Sequence, residues 1–337
     1  MTETRRGLAW EFGVLSVERR GAMLGPVLFT LPDGRQVAPL HVARWFAHPE
    51  AANLSGLMPR LRGDWACVPF GFDADREASG DWPASRAEDG LDEGHGFGAN
   101  HDWRFTDGPS GTLALTIEYP ASHPISHLER RIVPDPLAPA IELELVVHCR
   151  TDCELPVGLH PCIRLPEAVG AFEILLDADA EVATYPGAVD TTSIFAPNCF
   201  AKTSAVPLKM GGTLDIRRLP LLQQTEELVQ VLQSPGAVTL VNHAEAYRVH
   251  LSWEAEAFPS LLLWISNRGR AHFPWDGRHL ALGVEPVCAA FDLGTAIGRA
   301  PNPLNARGTP TAHAFRAGET WTTRHRIAVA PAGENLG

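Results

Sequence analysis

The sequence predicts an all-β protein, built as a sandwich or a barrel, from three observations. Several segments alternate strictly between apolar and polar residues, which is typical of strands with one buried face. Turn-forming residues occur throughout the 337 residues, which include 28 prolines and 30 glycines. Long helical periodicity is nearly absent. Many short strands with frequent turns between them favour a sandwich or a barrel.

Three segments carry the alternating pattern most clearly. Residues 141–149 begin with an isoleucine and two leucines separated by glutamates, and residues 112–119 and 247–253 repeat the pattern. A Pro-Asp-Gly turn signal lies inside 28–40, so we expect two strands around it. Residues 315–329 predict a closing strand after a glycine-containing turn.

Other stretches predict irregular structure. Residues 72–94 are acidic and rich in small residues, and residues 294–310 are rich in Gly, Pro and Asn, so both predict long loops. Residues 190–200 predict a single turn of helix at most. No break in composition marks a linker, and we therefore expect one domain over residues 1–337.

The charge and the apolar pattern exclude several classes of partner. A net charge of −12 disfavours nucleic acid and anionic membranes, because both require a cationic surface. No run of about 18 apolar residues predicts a membrane span. The first residues lack the apolar core of a signal peptide, so we expect a cytoplasmic protein whose six cysteines are reduced, buried thiols.

Three polar residues stand out inside otherwise apolar or glycine-rich stretches. His95 lies between glycines in "GHGFGAN", and His160 precedes a proline in "VGLHP". For each histidine alone, a structural role is the simpler interpretation. Glu285 is a lone carboxylate in "LALGVEPV", where burial would raise its pKa and suit it to proton transfer. A β scaffold can bring the three residues to one concave face, where they would supply an acid, a base and a supporting donor.

The order of these motifs resembles that of the aldose 1-epimerase family, the galactose mutarotases and their relatives. "RGDWACVPFG", "HGF…N…W", "GLHP" and "EP" follow one another as they do in that family, and the resemblance extends from Arg35 to Val329. It implies a β-supersandwich with an open sugar-binding cleft. The implied reaction interconverts the α and β anomers of a free aldose, with no metal or redox cofactor.

The resemblance also implies a role for each residue of the constellation. His160 matches the general acid that protonates the ring oxygen, and Glu285 matches the base that takes the proton of the anomeric hydroxyl. His95 matches an auxiliary histidine that hydrogen-bonds substrate oxygens. For substrate binding we expect four further residues, Arg62, Asn100, Phe70 and Trp264, the two aromatic ones as a wall against a sugar face.

Departures from the family pattern bear on the substrate. The branch that acts on hexose 6-phosphates carries an arginine after His-Gly-Phe-Ala, and this chain has Ala99 there; only Arg62 resembles an arginine of that branch. We therefore expect an unphosphorylated sugar. Asp190 and Asp276 are candidates for the family's sugar-binding aspartate.

Alternative functions stay open at this point. They are a hexose-6-phosphate 1-epimerase and a non-catalytic carbohydrate-binding protein on the same scaffold. A glycoside hydrolase is less favoured, because it needs two carboxylates and only Glu285 is well motivated. A metal hydrolase is disfavoured further, because no pair of histidines has the His-x-x-x-His chelating spacing in a segment that predicts a helix. The expected partner is a small sugar, bound by a monomer or a homodimer.

Overall fold

The computed structural model describes residues 3–72, 78–83 and 93–334, and strands dominate it. Most of the predicted loop 72–94 lies outside the described residues. The strands are β1 Arg5–Trp10, β2 Gly13–Glu18, β3 Leu24–Thr30, β4 Gln36–Val37, β5 Ala66–Cys67, β6 Arg104–Thr106, β7 Leu113–Glu118, β8 Ile125–Pro134, β9 Ala140–Cys149, β10 Cys153–Leu155, β11 Val157–Leu159, β12 Cys162–Arg164, β13 Phe172–Leu175, β14 Glu181–Thr184, β15 Phe200–Lys202, β16 Val206–Pro207, β17 Thr213–Leu214, β18 Arg218–Leu219, β19 Thr225–Val231, β20 Ala237–Asn242, β21 Tyr247–Trp253, β22 Ser260–Asn267, β23 Leu280–Cys288, β24 His313–Phe315 and β25 Thr320–Pro331.

Helices are few and short. The α-helices are α1, Gly96–Asn100, and α2, Gly294–Arg299; the 3-10 helices are Arg44–Ala47, Pro49–Asn53, Met58–Arg60 and Asn305–Arg307. The prediction of a loop over 294–310 is therefore wrong in part, because α2 and one 3-10 turn lie within it. Both are too short to leave a periodic pattern in the sequence. Within the described ranges, no helix is long and apolar enough to cross a membrane.

Two large antiparallel sheets organise the chain. One has nine strands in the order β18-β13-β20-β21-β25-β9-β8-β7-β6, and the other has eight, in the order β15-β14-β19-β22-β23-β11-β5 with β12 also paired to β23. A four-stranded sheet, β1-β2-β3-β4, precedes them. The predicted strands are confirmed: 247–253 is β21, 141–149 lies in β9, 112–119 contains β7, 28–40 contains the end of β3 and all of β4, which pair with each other, and β25 covers most of the predicted closing strand 315–329.

The main hydrophobic core joins side chains from both large sheets. Leu143 of β9 and Val249 of β21 belong to the same buried cluster as Leu263 of β22 and Leu282 of β23. The sheets therefore pack as a sandwich.

The eight-stranded sheet is buried on its other face as well. Every residue of β22 and β23 is buried, and alternate residues point to opposite faces. Leu262 and Trp264 belong to a second buried cluster, which includes Trp45, Trp65 and Trp275 from the covering segments. The candidate site lies in this second layer.

The six cysteines are free thiols in the structure. Cys67, Cys149, Cys162 and Cys288 are buried as predicted. Cys153 and Cys199 are only half-buried, because they lie at the edges of short strands.

Candidate active site

His160 and Glu285 are brought together by pairing of three short strands. His160 follows the last residue of β11, and β12 begins two residues later; both strands pair with β23, which carries Glu285. The His160 Nε2 atom lies 3.4 Å from the Glu285 Oε1 atom. His160 is thus at a strand end, as its proline neighbour predicts.

Burial favours the uncharged form of both groups. His160 is 4% exposed and Glu285 is 1% exposed. Loss of solvation lowers the pKa of His160 well below its usual range, with the charge of His95 adding to the effect. Loss of solvation raises the pKa of Glu285 well above its usual range, and the negative charge of Asp292 raises it further.

The separation of the two groups agrees with this assignment. A charge-assisted bond between imidazolium and carboxylate spans about 2.7–2.9 Å, whereas these atoms are 3.4 Å apart. Among the described residues, Glu285 Oε1 has no hydrogen-bond partner. Burial and this separation thus favour the form in which the pair holds one proton, on the carboxyl group of Glu285, with both groups neutral.

The ring of His160 is fixed on several sides. The Trp65 indole stacks on it with ring centroids 4.0 Å apart and planes inclined by 19°. The His160 amide donates to the Trp65 carbonyl at 2.9 Å. On the ring, Nδ1 lies 3.4 Å from Cys162 Sγ. These contacts leave Nε2 directed at Glu285.

His95 stands beside this pair at the start of α1. Its backbone is left-handed, with φ of 62°, and its ring meets the His160 ring edge-on at 5.0 Å. The Asn100 side-chain amide donates to the carbonyls of Gly94 and Gly96 at 2.6 and 2.8 Å. Asn100 therefore shapes the turn that presents His95.

A concave pocket, partly open to solvent, lies over the pair. Aromatic, aliphatic and a few charged side chains form its wall, which comprises Leu57, Met58, Leu61, Trp65, Phe72, His95, His160, Val189, Leu228, Leu262, Trp264, Arg270, Trp275, Glu285 and Asp292. His95, His160, Glu285 and Trp264, all predicted site residues, are among them.

The structure places the other three predicted substrate-binding residues outside this wall, within the described ranges. Phe70 packs behind the two histidines, with its ring centroid 5.0 Å from that of His95 and 6.4 Å from that of His160. Gly158 makes room for it, since a Cβ there would lie 2.5 Å from the Phe70 ring. Asn100 bonds to backbone atoms, as described above.

Arg62 is occupied elsewhere. Its Nη1 donates to Glu18 Oε1 at 2.9 Å, and its Nε donates to the Arg60 carbonyl at 2.9 Å. The side chain is 1% exposed. The resemblance could not anticipate this arrangement, because Glu18 comes from β2, far away in the sequence.

Asp190 and Asp276, the two candidates for a sugar-binding aspartate, are not among the described residues of the cavity wall. Asp190 Oδ1 accepts from the Thr192 amide at 3.1 Å and stabilises its own turn. Asp276 lies in another turn, with a left-handed φ of 51°. Asp292, which follows β23 and which sequence reasoning missed, does line the cavity.

Glu226 is a buried carboxylate that contacts two side chains of the cavity wall, Trp264 and Arg270. Glu226 accepts from the Trp264 indole N–H at 3.1 Å and from the Ser266 hydroxyl at 2.7 Å. The Arg270 Nε lies 3.8 Å from Glu226, and the Arg270 guanidinium lies 4.6 Å above the Trp275 ring. Sequence reasoning missed Glu226, because the burial of its whole strand is visible only in the structure.

One group of residues offers metal-ligand atoms close together among the described residues. His127, Glu129 and His148 lie on the nine-stranded sheet with ligand atoms within 4.8 Å of one another. The two imidazoles are stacked 3.8 Å apart with planes inclined by 11°, so their in-plane lone pairs do not converge on one ion. They do not line the cavity.

Comparison with known proteins supports the architecture. No family model matches the chain, and no curated protein matches it. Among solved structures, a candidate aldose 1-epimerase from Escherichia coli K12 superposes with a TM-score of 0.64 at 14% identity, over 97% of this chain and 99% of that chain. A GalM/aldose epimerase homologue from C. elegans gives 0.63 at 11% identity, over 98% and 99%.

A third solved structure also superposes on this chain. A galactose mutarotase-like protein from Lactobacillus casei ATCC 334 gives a TM-score of 0.57 at 13% identity, over 96% of this chain and 99% of that chain. At such low identity the likeness establishes architecture rather than activity. The chain has the β-sandwich fold of galactose mutarotase-like proteins, as its motifs predict.

Proposed function

We propose that the protein is an aldose 1-epimerase acting on an unphosphorylated aldose. The observation that carries the proposal is the buried pair of His160 and Glu285, with Nε2 and Oε1 3.4 Å apart on the wall of an aromatic cavity. Mutarotation needs one proton donor and one proton acceptor at the ring oxygen and the anomeric hydroxyl of the sugar. A pair that holds a single proton supplies both.

The proton balance of ring opening fits this pair. Ring opening begins when the shared proton has moved from Glu285 to Nε2 of His160. The anomeric hydroxyl then gives its proton to the Glu285 carboxylate, the C1–ring oxygen bond breaks, and the ring oxygen takes the Nε2 proton of His160. The products are an open-chain aldehyde, a carboxylic acid and a neutral imidazole. Burial favours this protonation form in the free protein. After rotation about C1–C2, the reverse transfers close the ring to the other anomer.

The charges on the wall support an uncharged sugar. Arg270 lies 3.8 Å from Glu226, so the charge of this cation is already balanced. Asp292 would repel a phosphate. Trp264 and Trp275 contribute aromatic surface to the wall, against which the apolar side of a sugar ring can pack. The fold shared with mutarotase-like structures is compatible with the proposal.

Polarimetry on freshly dissolved aldoses tests the activity. We expect wild-type protein to accelerate the approach to anomeric equilibrium for at least one aldose, with aldose 6-phosphates slower. Glu285→Gln removes a proton carrier and should lower kcat by roughly 10²- to 10⁴-fold.

Glu227→Gln is the matched control. Glu227 is a buried carboxylate on β19 whose raised pKa also results from burial. It accepts from backbone amides of the segment that begins at Ile194, and it should keep nearly full activity. Saturable sugar binding without acceleration would instead favour the carbohydrate-binding alternative.

A further inference from the structure

The His160 ring contacts a sulfur atom at Nδ1, the ring nitrogen that does not face Glu285. The His160 Nδ1 atom lies 3.4 Å from Cys162 Sγ. Both residues are buried, His160 at 4% exposure and Cys162 at 2%. Burial raises the pKa of Cys162 well above its usual range, so the sulfur is a neutral thiol.

The backbone holds this sulfur in a fixed place. The Cys162 amide donates to the Gly63 carbonyl at 2.6 Å, and Cys162 pairs with Gly283 of β23. The next amide on β23, that of Val284, donates to the Pro161 carbonyl at 2.8 Å. Pro161, which this hydrogen bond holds in place, is therefore the single residue between His160 and Cys162.

This geometry bears on the tautomer of His160. A neutral imidazole carries one N–H, and the hydrogen bond at one nitrogen decides the state of the other. Sulfur is a weak acceptor that can take an N–H at this distance. With the hydrogen on Nδ1, the Nε2 lone pair faces the carboxyl group of Glu285.

We propose that Cys162 is a positioning residue whose Sγ accepts the Nδ1–H of His160 and so keeps Nε2 facing Glu285. The inference rests on the proposed function, because it makes Nε2 the nitrogen of His160 that exchanges the shared proton with Glu285 and the sugar. In both protonation forms of the pair, Nδ1 keeps its hydrogen. The residue acts through His160 and does not touch the sugar.

The tautomer can be read without any substrate. Long-range ¹⁵N–¹H NMR on protein with ¹⁵N-labelled histidine, with the His160 signals assigned by loss in His160→Gln, distinguishes an Nδ1–H from an Nε2–H ring. We expect Nδ1–H at neutral pH in the wild type. An Nε2–H ring overturns the proposal, whether or not the protein accelerates mutarotation.

Substitutions separate the hydrogen bond from packing. Cys162→Ser retains an acceptor, so the Nδ1–H tautomer and kcat should both remain near wild type. Cys162→Ala removes the acceptor, and we expect loss of the pure Nδ1–H state and a kcat lower by roughly 10-fold, with KM changed by less than about twofold.

Cys288→Ala controls for loss of a buried thiol, since Cys288 lies in the core between the sheets. It should leave both readouts unchanged. An alanine variant at 162 that keeps the wild-type tautomer and kcat contradicts the proposal, as does a serine variant that behaves like alanine. If no variant, including wild type, shows mutarotation, the proposed function fails and the NMR result alone decides the role of Cys162.

Discussion

At the scale of single residues, the environment of Glu285 decides how the pair can work. Within the described ranges, Oε1 of its carboxyl group has no hydrogen-bond partner, and a neighbouring carboxylate, Asp292, opposes its ionisation. A proton is thus kept on the pair at pH values where an exposed glutamate would have lost it. Loss of that proton should cause kcat/KM for mutarotation to fall at alkaline pH, which gives the alkaline limb of the pH–rate profile.

Asp292→Asn tests this electrostatic coupling. Removal of a nearby negative charge makes the ionised form of Glu285 less unfavourable, so the pKa of Glu285 falls. The shared proton is then lost at lower pH, and the alkaline limb of kcat/KM should move to lower pH. The measurement is a pH–rate profile of mutarotation for both proteins.

Asp135→Asn provides a comparison at a distant carboxylate. Asp135 accepts from Arg326 at 2.6 Å at the end of the nine-stranded sheet. Its profile should overlay that of the wild type. If the alkaline limb of kcat/KM in Asp292→Asn stays at the wild-type pH or moves to higher pH, the coupling between Asp292 and Glu285 is contradicted.

At the scale of elements, the β22–β23 ladder sets the position of the Glu285 side chain. Gly283 lies opposite Trp264, and Glu285 lies opposite Leu262, so all four project to the cavity side. A Cβ at position 283 would lie 2.2 Å from Glu285 Oε1 and 3.0 Å from the Trp264 Cβ. The glycine leaves the space that the carboxyl group occupies.

Gly283→Ala should therefore displace the carboxyl group of Glu285. We expect kcat to fall by at least about 10-fold, because a misplaced acid–base group loses its near-attack geometry, while the strand pairing is retained. Gly7→Ala on β1 is the control, because its Cβ would meet only the Leu15 carbonyl oxygen, at 3.6 Å. Unchanged kcat in a folded Gly283→Ala protein would show that the carboxyl position is not critical.

Prediction from sequence succeeds where the information is local. In β21, alternate residues are buried with period two, as the residue types indicate. The motifs around His160 and Glu285 likewise identify residues that meet in space. The wall of the cavity was less predictable, because Trp275 and Asp292 reach it through loops whose course depends on tertiary packing. Arg62 matches a motif, yet its guanidinium forms an ion pair with Glu18, which is distant in the sequence.

At the scale of the whole molecule, a buried polar cluster connects the two large sheets. Arg130 of β8 donates to the Asp64 carboxylate, and His325 Nε2 of β25 lies 3.0 Å from Asp64 Oδ2. Asp64 is 0% exposed and immediately precedes Trp65, which stacks on His160. The cluster thus connects the packing between the sheets to Trp65, on which the candidate active-site residue His160 stacks.

Arg130→Met tests the contribution of this cluster to stability. The change leaves the buried Asp64 carboxylate without its arginine partner, and removal of one partner of a buried pair costs roughly 3–5 kcal/mol. Urea denaturation should show that loss in the free energy of unfolding. Arg324→Met is the control: the Arg324 side chain is 55% exposed and Glu144 keeps its ion pair with Arg131, so the loss should cost less than about 1 kcal/mol. Equal effects in the two variants would contradict a structural role for the cluster.

Exchange of anomers in solution tests the central claim most directly. Saturation-transfer NMR on an equilibrated aldose irradiates the H1 signal of one anomer and follows the signal of the other. The proposed chemistry of His160 and Glu285 predicts transfer that depends on the concentration of wild-type protein and disappears in Glu285→Gln. If no aldose or aldose phosphate exchanges faster with wild-type protein than in buffer, this pair does not catalyse mutarotation.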